Sequence, residues 1–235
     1  IIVWSGVGGG ADRPARVMQR LFQERKLIDV PSFVINKPGA NGTIGMVYMN
    51  QHAGDGQFLS MANATLVTNR ITSVSPLSYT HITPIALIAH DYMVIAVKPD
   101  SRFKTAREMF QQIAKDPNSV TGGMNNRAGA GHTALGKAIK SLNGDPRKIK
   151  NAIFKSGGEA AIAVMGGHVD AAISGPGSGS RMRESLHFLA VTGETRWFSL
   201  PDVPTMIESG YPGFVSDTFN ALFAPAGTPP DIIEK

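Results

Sequence analysis

The sequence predicts an open α/β fold, in which short buried strands alternate with helices around a sheet. Seven short apolar runs are typical of strands, and several lack polar alternation, as expected when both faces of a sheet are covered. Amphipathic runs lie between them, and glycines cluster where strand-like runs give way to helical ones. The predicted strands cover residues 1–4, 32–35, 58–62, 92–97, 151–154, 170–174 and 187–191.

The predicted helices are recognised by their apolar spacing and by the residues at their ends. Asp12 is well placed to cap the first helix, which follows the opening strand. A later helix has one apolar face across residues 106–114, with Thr105 as its cap. Another has apolar residues at helical spacing across 135–142 and ends at the glycine and proline of 143–146.

The chain has two candidate domain boundaries, which predict that it passes twice between two lobes. One candidate boundary is the proline turn at residues 97–105, and the other is the run at 214–230, where a strand-like stretch returns. We therefore expect lobe 1 to comprise residues 1–100 and 220–235, and lobe 2 to comprise 101–219, with a hinge between the lobes. In such folds the ligand lies between the lobes, at the ends of their strands.

Composition narrows the functional classes. The chain has 235 residues, of which 42% are hydrophobic, and no apolar run reaches the ~18 residues of a membrane span. Cysteine is absent, which excludes disulfides, thiol catalysis and cysteine-ligated metals. The net charge of +5 comes from dispersed basic residues and aromatic residues are only 7%, so we expect no nucleic-acid binding.

No secretion signal precedes the first strand and the last residues resemble a helix start, so we expect a trimmed chain.

The opening stretch, IIVWSGVGGGADRPAR, is typical of a site where the backbone binds an anion. Its glycines let the main chain approach a ligand, and the N–H groups of the following helix start point outward. A dinucleotide, a phosphate and a carboxylate are all candidates. A dinucleotide site also needs an acidic residue at the end of the second strand, where this chain has Asn36 and Lys37. The glycine-lysine loop of ATP- and GTP-binding proteins is also absent.

The same strand–glycine–helix pattern recurs at residues 37–45, 122–136, 155–161 and 174–180. Helix starts that face one another across a cleft would hold a small polyanion with neutral donors. Glu159 fits the first turn of one of these helices. A glycine that simply ends a strand and begins a turn explains any single junction, whereas the set as a whole favours the cleft.

The sequence lacks the usual signatures of enzymes. None of its six histidines has the i, i+4 zinc spacing, and neither H-E-x-x-H nor G-x-S-x-G occurs. His132 lies beside a glycine loop and either bonds a ligand oxygen or supports the helix start. We therefore expect a binding protein without a cofactor or metal. The alternative is a nucleotide- or phosphate-dependent α/β enzyme.

The chain also carries the stretches GVGGGADRPAR, KPGANGTIG, FKSGGEAAIAVMGGHVDAAISG and LPDVPTMIESG. In this order, they resemble the substrate-binding proteins of tripartite tricarboxylate transporters, the Bug family, and most closely the tricarboxylate-binding type. The resemblance covers nearly the whole chain. It implies a periplasmic, monomeric, two-lobed Venus-flytrap protein, with a mostly parallel sheet flanked by helices in each lobe. Such a protein delivers a carboxylate to membrane permease subunits.

The resemblance also implies where the ligand binds. In the family, backbone N–H groups of two glycine loops and ordered water hold one carboxylate, which here assigns the stretches from Ser5 to Asp12 and from Ala128 to His132. The chain departs from the family pattern at Phe219, often tryptophan, at Asn220, often arginine, and at Arg127, which lies in a loop of small residues. These departures make a linear or aromatic dicarboxylate as good a candidate as citrate. The candidate ligand-binding residues are Ser5, Gly8, Gly9, Gly10, Asp12, Asn63, Thr65, Arg127, Ala128, Gly129, Gly131, His132, Ser156, Gly157, Ser174 and Phe219.

Overall fold

The structure is a computed structural model that describes residues 1–179 and 182–234. The chain divides into two compact units: unit 1 contains Ile1–His90 and Phe219–Lys235, and unit 2 contains Asp91–Thr218. The first division follows residue 90 rather than the sequence-based boundary at 100, because the strand at 94–97 pairs with strands of unit 2. Within the described ranges, no helix is long and apolar enough to cross a membrane.

The elements are numbered in chain order. The strands are β1 (Ile2–Val3), β2 (Ile35–Asn36), β3 (Ser60–Ala62), β4 (Ile82–Tyr92), β5 (Val94–Val97), β6 (Thr121–Met124), β7 (Lys150–Ile153), β8 (Ala171–Ser174), β9 (His187–Val191) and β10 (Asp217–Pro225). The helices are α1 (Asp12–Glu24), α2 (Thr43–Asn50), α3 (Thr65–Ile71), α4 (Ala106–Lys115), α5 (Ala130–Ser141), α6 (Gly157–Met165), α7 (Pro176–Gly179) and α8 (Pro230–Ile233).

Unit 1 is built on a five-stranded sheet in the order β2-β1-β3-β10-β4. Strand β1 pairs in parallel with β2 and β3, whereas β10 runs antiparallel to β3. Neighbouring residues of a strand face opposite sides of the sheet. Ile2 accordingly packs in one cluster with Met46 of α2 and Leu66 of α3. Val3 packs in another with Ala15 of α1, so the sheet is covered on both faces.

Unit 2 has a second five-stranded sheet in the order β7-β6-β8-β5-β9. Strand β6 is parallel to β7 and β8, and β5 is antiparallel to β8 and β9. Ile95 packs with Phe110 of α4 and Leu135 of α5 on one face. Ala96 packs with Val164 of α6 on the other. Each sheet therefore combines parallel neighbours with antiparallel strands between layers of helices.

All seven predicted strands are present, several of them shorter than predicted, and β10 lies in the strand-like stretch expected at 214–230. The other two strands, β4 and β6, were not predicted. Strand β6 reads Thr-Gly-Gly-Met, in which only Thr121 is of a residue type that favours strands and two of the four residues are glycines. Close packing explains its glycines, since a Cβ at Gly123 would lie 3.1 Å from both the Phe154 and the Val169 side chains. Strand β4 contains Pro84, which a strand at the edge of a sheet tolerates because one side of its backbone is unpaired.

The helix predictions at 106–114 and 135–142 are confirmed by α4 and α5. Thr105 caps α4 as predicted, because its hydroxyl oxygen accepts the Glu108 N–H at 3.2 Å. The Glu108 carboxylate in turn accepts the Thr105 N–H at 3.1 Å. Helix α5 ends at Ser141, just before the predicted stop.

Candidate functional site

In unit 1, the predicted site residues gather at one edge of the sheet. Strands β1 and β3 are parallel and in register, so the loops that follow them leave from the same edge. The first loop holds the glycines after Ser5, and the second holds Asn63 just before Thr65. Strand β10 runs the other way, with Ala221 opposite Ala62, so Phe219 near its start lies at this edge too.

Asp12 does not cap α1, and this prediction is wrong. The helix begins at Asp12 itself, the preceding residue is Ala11, and no side chain caps the first turn. The Asp12 carboxylate instead reaches back into the glycine loop, where Oδ2 accepts the Gly8 N–H at 2.8 Å. The same oxygen accepts Nε of Arg16 at 2.9 Å, and Oδ1 accepts the Asn36 amide at 2.9 Å. The carboxylate is only 2% exposed and is occupied by donors of its own chain.

Asn36 ties the loop to the second strand and was not predicted as a site residue. Its Nδ2 donates both to Asp12 and to the Ser5 carbonyl oxygen, the latter at 2.9 Å, and its Oδ1 accepts Nη2 of Arg16 at 3.2 Å. The sequence signal for this fixing of the loop is a polar amide at the end of β2, the strand that pairs with β1 just before the glycine loop. Burial alone would raise the pKa of Asp12, but the hydrogen bonds from Arg16, Gly8 and Asn36 outweigh it and hold the pKa below its ordinary value.

The loop leaves some backbone donors available. The Gly9 N–H is used by the Gly6 carbonyl oxygen at 3.1 Å, and the Gly8 N–H by Asp12. Within residues 1–179 and 182–234, the N–H groups of Gly10 and Ala11 have no hydrogen-bond partner. A Cβ at Gly10 would meet no heavy atom within 4 Å, so open space lies beside this residue.

Asn63 and Thr65 contact each other at the start of α3. The Asn63 Oδ1 accepts the Thr65 N–H at 3.1 Å and its hydroxyl at 2.8 Å. The neighbouring loop at 37–45 has mainly a packing role, because a Cβ at Gly45 would collide with the Trp4 ring and one at Gly42 would lie 3.2 Å from it. The specific glycines of that stretch therefore have a structural explanation.

In unit 2, the predicted residues lie at the ends of three parallel strands. Strand β6 is parallel to both β7 and β8, so the loops after all three leave from one sheet edge. These loops hold the stretch from Arg127 to His132, the pair Ser156 and Gly157, and Ser174 at the end of β8. A Cβ at Gly131 would lie 2.9 Å from the Ile173 carbonyl oxygen, so the start of α5 packs tightly against β8.

Helix α5 begins without a side-chain cap, after Gly129. Ala128 has a φ of +57°, and its N–H donates to Nδ1 of His132 at 3.0 Å. Burial lowers the pKa of His132, and the positive charge of Arg127 lowers it further, which favours the neutral ring that accepts this hydrogen bond. This hydrogen bond supports the helix start, which is one of the two roles predicted for His132. The N–H groups of the first turn, including that of Gly131, have no acceptor within the helix.

Helix α6 begins at a second glycine junction. The Ser156 hydroxyl oxygen caps it by accepting the Glu159 N–H at 3.2 Å. The Glu159 carboxylate accepts the Lys155 N–H at 3.1 Å, which confirms the prediction that this residue lies in the first turn. Ser156 therefore acts through the helix start, and Gly157 begins the helix.

Asp91 lies at the same edge of unit 2 and was not predicted. It precedes β5, whose Val94 pairs with Ser174, and a Cβ at Gly175 would lie 3.2 Å from its Oδ2. Among the described residues, Asp91 accepts a single hydrogen bond, from the Tyr92 N–H at 3.0 Å, and burial raises the pKa of Asp91 to about 6. Across the described residues, no three histidine or acidic side chains are grouped to hold a metal ion.

Comparisons with known proteins show the family of the chain and the fold that it shares with solved structures. Residues 15–235 match the family described as the tripartite tricarboxylate transporter family receptor. Protein BugT of Bordetella pertussis is 29% identical over 232 residues, which cover 96% of this chain and 70% of BugT. The structure of the periplasmic binding protein BugD is 25% identical, with a TM-score of 0.87, and the likeness covers 99% of this chain and 78% of BugD. An R. palustris protein solved with adipate has the same fold, with a TM-score of 0.88 at 22% identity over 99% of this chain and 78% of that one.

Proposed function

The chain belongs to the tripartite tricarboxylate transporter family of receptors, and we propose that it binds an organic acid with two or more carboxylates in the periplasm. The bound acid is then delivered to the permease subunits of the transporter. The protein acts by binding and not by catalysis, and it works as a monomer without a cofactor.

The observation that carries the proposal is the set of available backbone donors next to glycine loops. Unit 1 offers the N–H groups of Gly10 and Ala11, and unit 2 offers those of the uncapped first turn of α5. Such neutral donors bind a carboxylate without requiring a cation beside it. We assign one carboxylate of the ligand to backbone donors of this kind, and this assignment predicts that changes in either loop weaken binding of the acid.

The second carboxylate needs a partner of its own, and Arg127 is our candidate. It is exposed and lies in the loop just before α5, close in sequence to the donors that bind the first carboxylate. A guanidinium binds a carboxylate through two parallel hydrogen bonds, which lysine does not reproduce. Arg127→Lys should therefore weaken binding of a diacid more than that of the matching monoacid, as measured by calorimetry.

The function is tested by a panel of acids in melting experiments and calorimetry. Adipate, malate and citrate are compared with hexanoate, which matches adipate but has a single carboxylate. A polycarboxylate at 100 times its Kd should add about 2.7 kcal/mol to the free energy of unfolding. Hexanoate at the same concentration should add much less, because we expect it to bind more weakly. Stabilisation by ATP or NAD, without any by the polycarboxylates, would reject the proposal in favour of the nucleotide-dependent enzyme.

Gly10→Val tests the donors of unit 1. The added side chain enters open space and the residue has no positive φ, so the fold should survive with a nearly unchanged melting temperature. The valine should nevertheless block close approach to the backbone and weaken binding of the active polycarboxylate at least ~10-fold, a loss of about 1.4 kcal/mol.

The matched control is Gly136→Ala, which replaces a glycine in the middle of α5, where a Cβ meets only an ordinary contact at 3.7 Å. It should leave binding unchanged. Gly131→Val is a poorer test, because its Cβ would press on the Ile173 carbonyl oxygen at 2.9 Å and disturb the fold itself. Unchanged affinity in a folded Gly10→Val protein would show that the first glycine loop is not part of the site.

A further inference from the structure

Unit 2 contains a pocket of about 620 Å³ that shares no residue with the candidate site. It lies between α4, the C-terminal half of α5 and the loop at 210–214, whereas the candidate residues surround the start of α5. Its volume is in the range of pockets that bind small molecules, about 300–1,000 Å³.

The pocket wall is cationic. Arg107, Lys137 and Lys140 line it, and no acidic residue is among its lining residues. Lys137 donates to the Val215 carbonyl oxygen and lies 5.5 Å from the centre of the Phe214 ring. Lys140 is exposed, and its ammonium has no hydrogen bond or ion pair with the described residues. An anion that enters the pocket would therefore meet positive charge without a competing carboxylate.

Arg107 is held in place at the rim. Its Nε donates to the Ser209 carbonyl oxygen at 3.4 Å and its Nη2 to that of Gly210 at 3.2 Å, which leaves other N–H donors of the guanidinium for a ligand. Gly210 makes this position possible, because a Cβ there would collide with the guanidinium and the φ of +92° disfavours other residues. The arginine is thus oriented before any ligand arrives.

The inner part of the pocket is aromatic. Tyr211 and Phe214 are 6% and 7% exposed and meet edge to face with ring centres 6.3 Å apart, and Tyr211 also meets Phe110 at 5.8 Å. The Tyr211 hydroxyl is buried and has no hydrogen-bond partner among the described residues. Burial raises the pKa of Tyr211, and the positive charge of Arg107 only partly offsets this, so the hydroxyl keeps its proton.

We propose that this pocket is a second binding site, which takes an aromatic carboxylate. The ring packs on Tyr211 and Phe214, and the carboxylate faces Arg107 and Lys140 at the rim. An inorganic anion lacks the apolar surface that the aromatic floor would cover, and a neutral aromatic compound leaves the cations unused. The site does not depend on the proposed transport function, since the two share no residue.

The probe is 2-naphthoate, compared with the neutral 2-naphthalenemethanol, on the full chain by calorimetry. Lys140→Glu should weaken 2-naphthoate binding at least ~10-fold. The substitution should reduce stability only slightly, because it places a negative charge in the last turn of α5 but breaks no ion pair of the described residues. Gly210→Ala, which displaces Arg107, should weaken it as well. The matched control Lys115→Glu, at an exposed position of α4 that does not line the pocket, should leave binding unchanged.

Gly10→Val separates this site from the one proposed for transport, and it should leave 2-naphthoate binding intact. Loss of 2-naphthoate binding in Gly10→Val but not in Lys140→Glu would place the probe at the transport site and overturn the proposal. Equal affinity for the neutral alcohol, or no 2-naphthoate binding at all, would overturn it too, without affecting the polycarboxylate result.

Discussion

Asp12 is an acidic residue directly after the glycine loop that we propose binds a carboxylate, and its contacts explain why it is tolerated there. Its two carboxylate oxygens accept the Gly8 N–H, the Arg16 guanidinium and the Asn36 amide. The negative charge is thereby neutralised by partners within unit 1. The carboxylate fixes the loop by accepting the Gly8 N–H, and among the described residues the N–H groups of Gly10 and Ala11 have no hydrogen-bond partner.

Removing this carboxylate should loosen the loop. Asp12→Ala leaves three donors without their acceptor, which should lower the free energy of unfolding by about 1–3 kcal/mol in urea titrations. Asp12→Asn should also destabilise, because an NH₂ group replaces one accepting oxygen. Asp29→Asn, at an exposed position, is the control and should change little. If Asp12→Asn were fully stable yet unable to bind the acid, the carboxylate would instead contact the ligand directly.

At the same scale, the sequence located the loop but could not assign its contacts. The glycines and Asp12 marked the region, but a carboxylate one position into a helix and one at its cap look alike in a sequence. Asn36 was considered only as a missing acidic residue, because its contacts with Ser5 and Asp12 depend on the pairing of β1 with β2. Side-chain partners that come from distant elements were therefore beyond prediction.

Among the elements, prediction succeeded where a local rule dominates. The apolar faces of α4 and α5 repeat at helical spacing, so both helices were located correctly. Strand β6 was missed, because its glycines are selected by neighbours on other elements, such as Phe154 and Val169, and not by strand propensity. The recurring glycine junctions likewise serve different purposes, since Gly45 packs on Trp4 whereas Gly10 borders open space.

The start of α4 gives an element-scale prediction. Thr105 and Glu108 satisfy each other's backbone N–H groups at the first turn. Thr105→Ala removes the cap and should lower the free energy of unfolding by about 0.5–2 kcal/mol, measured by urea titration. The control, Thr133→Ala, replaces an exposed threonine inside α5 and should be neutral or slightly stabilising. Equal effects of the two substitutions would mean that the cap adds nothing beyond helix propensity.

For the whole molecule, the dependence of stability on pH combines two carboxylates with opposite shifts. The pKa of Asp12 is lowered, so its stabilising effect is present above its ordinary pKa of 3.8 and is lost as the pH falls through the lowered value. The pKa of Asp91 is raised by burial to about 6, so the sign is reversed. The stabilising contribution of the protonated Asp91 carboxyl is fully present below its ordinary pKa of 3.8 and is lost as the pH rises through about 6.

Asp91→Asn isolates the second effect, because it removes the charge and keeps the shape. At pH 7 to 8 the substitution should stabilise the chain by up to about 3 kcal/mol, since the folded wild-type protein must ionise a half-buried carboxyl there. At pH 4 the wild-type carboxyl is protonated in the folded state, and the two proteins should be nearly equally stable. Urea titrations across this pH range, with Asp29→Asn as control, measure the difference. A constant difference at all pH values would show that Asp91 ionises normally in the folded protein and that the gain comes from packing.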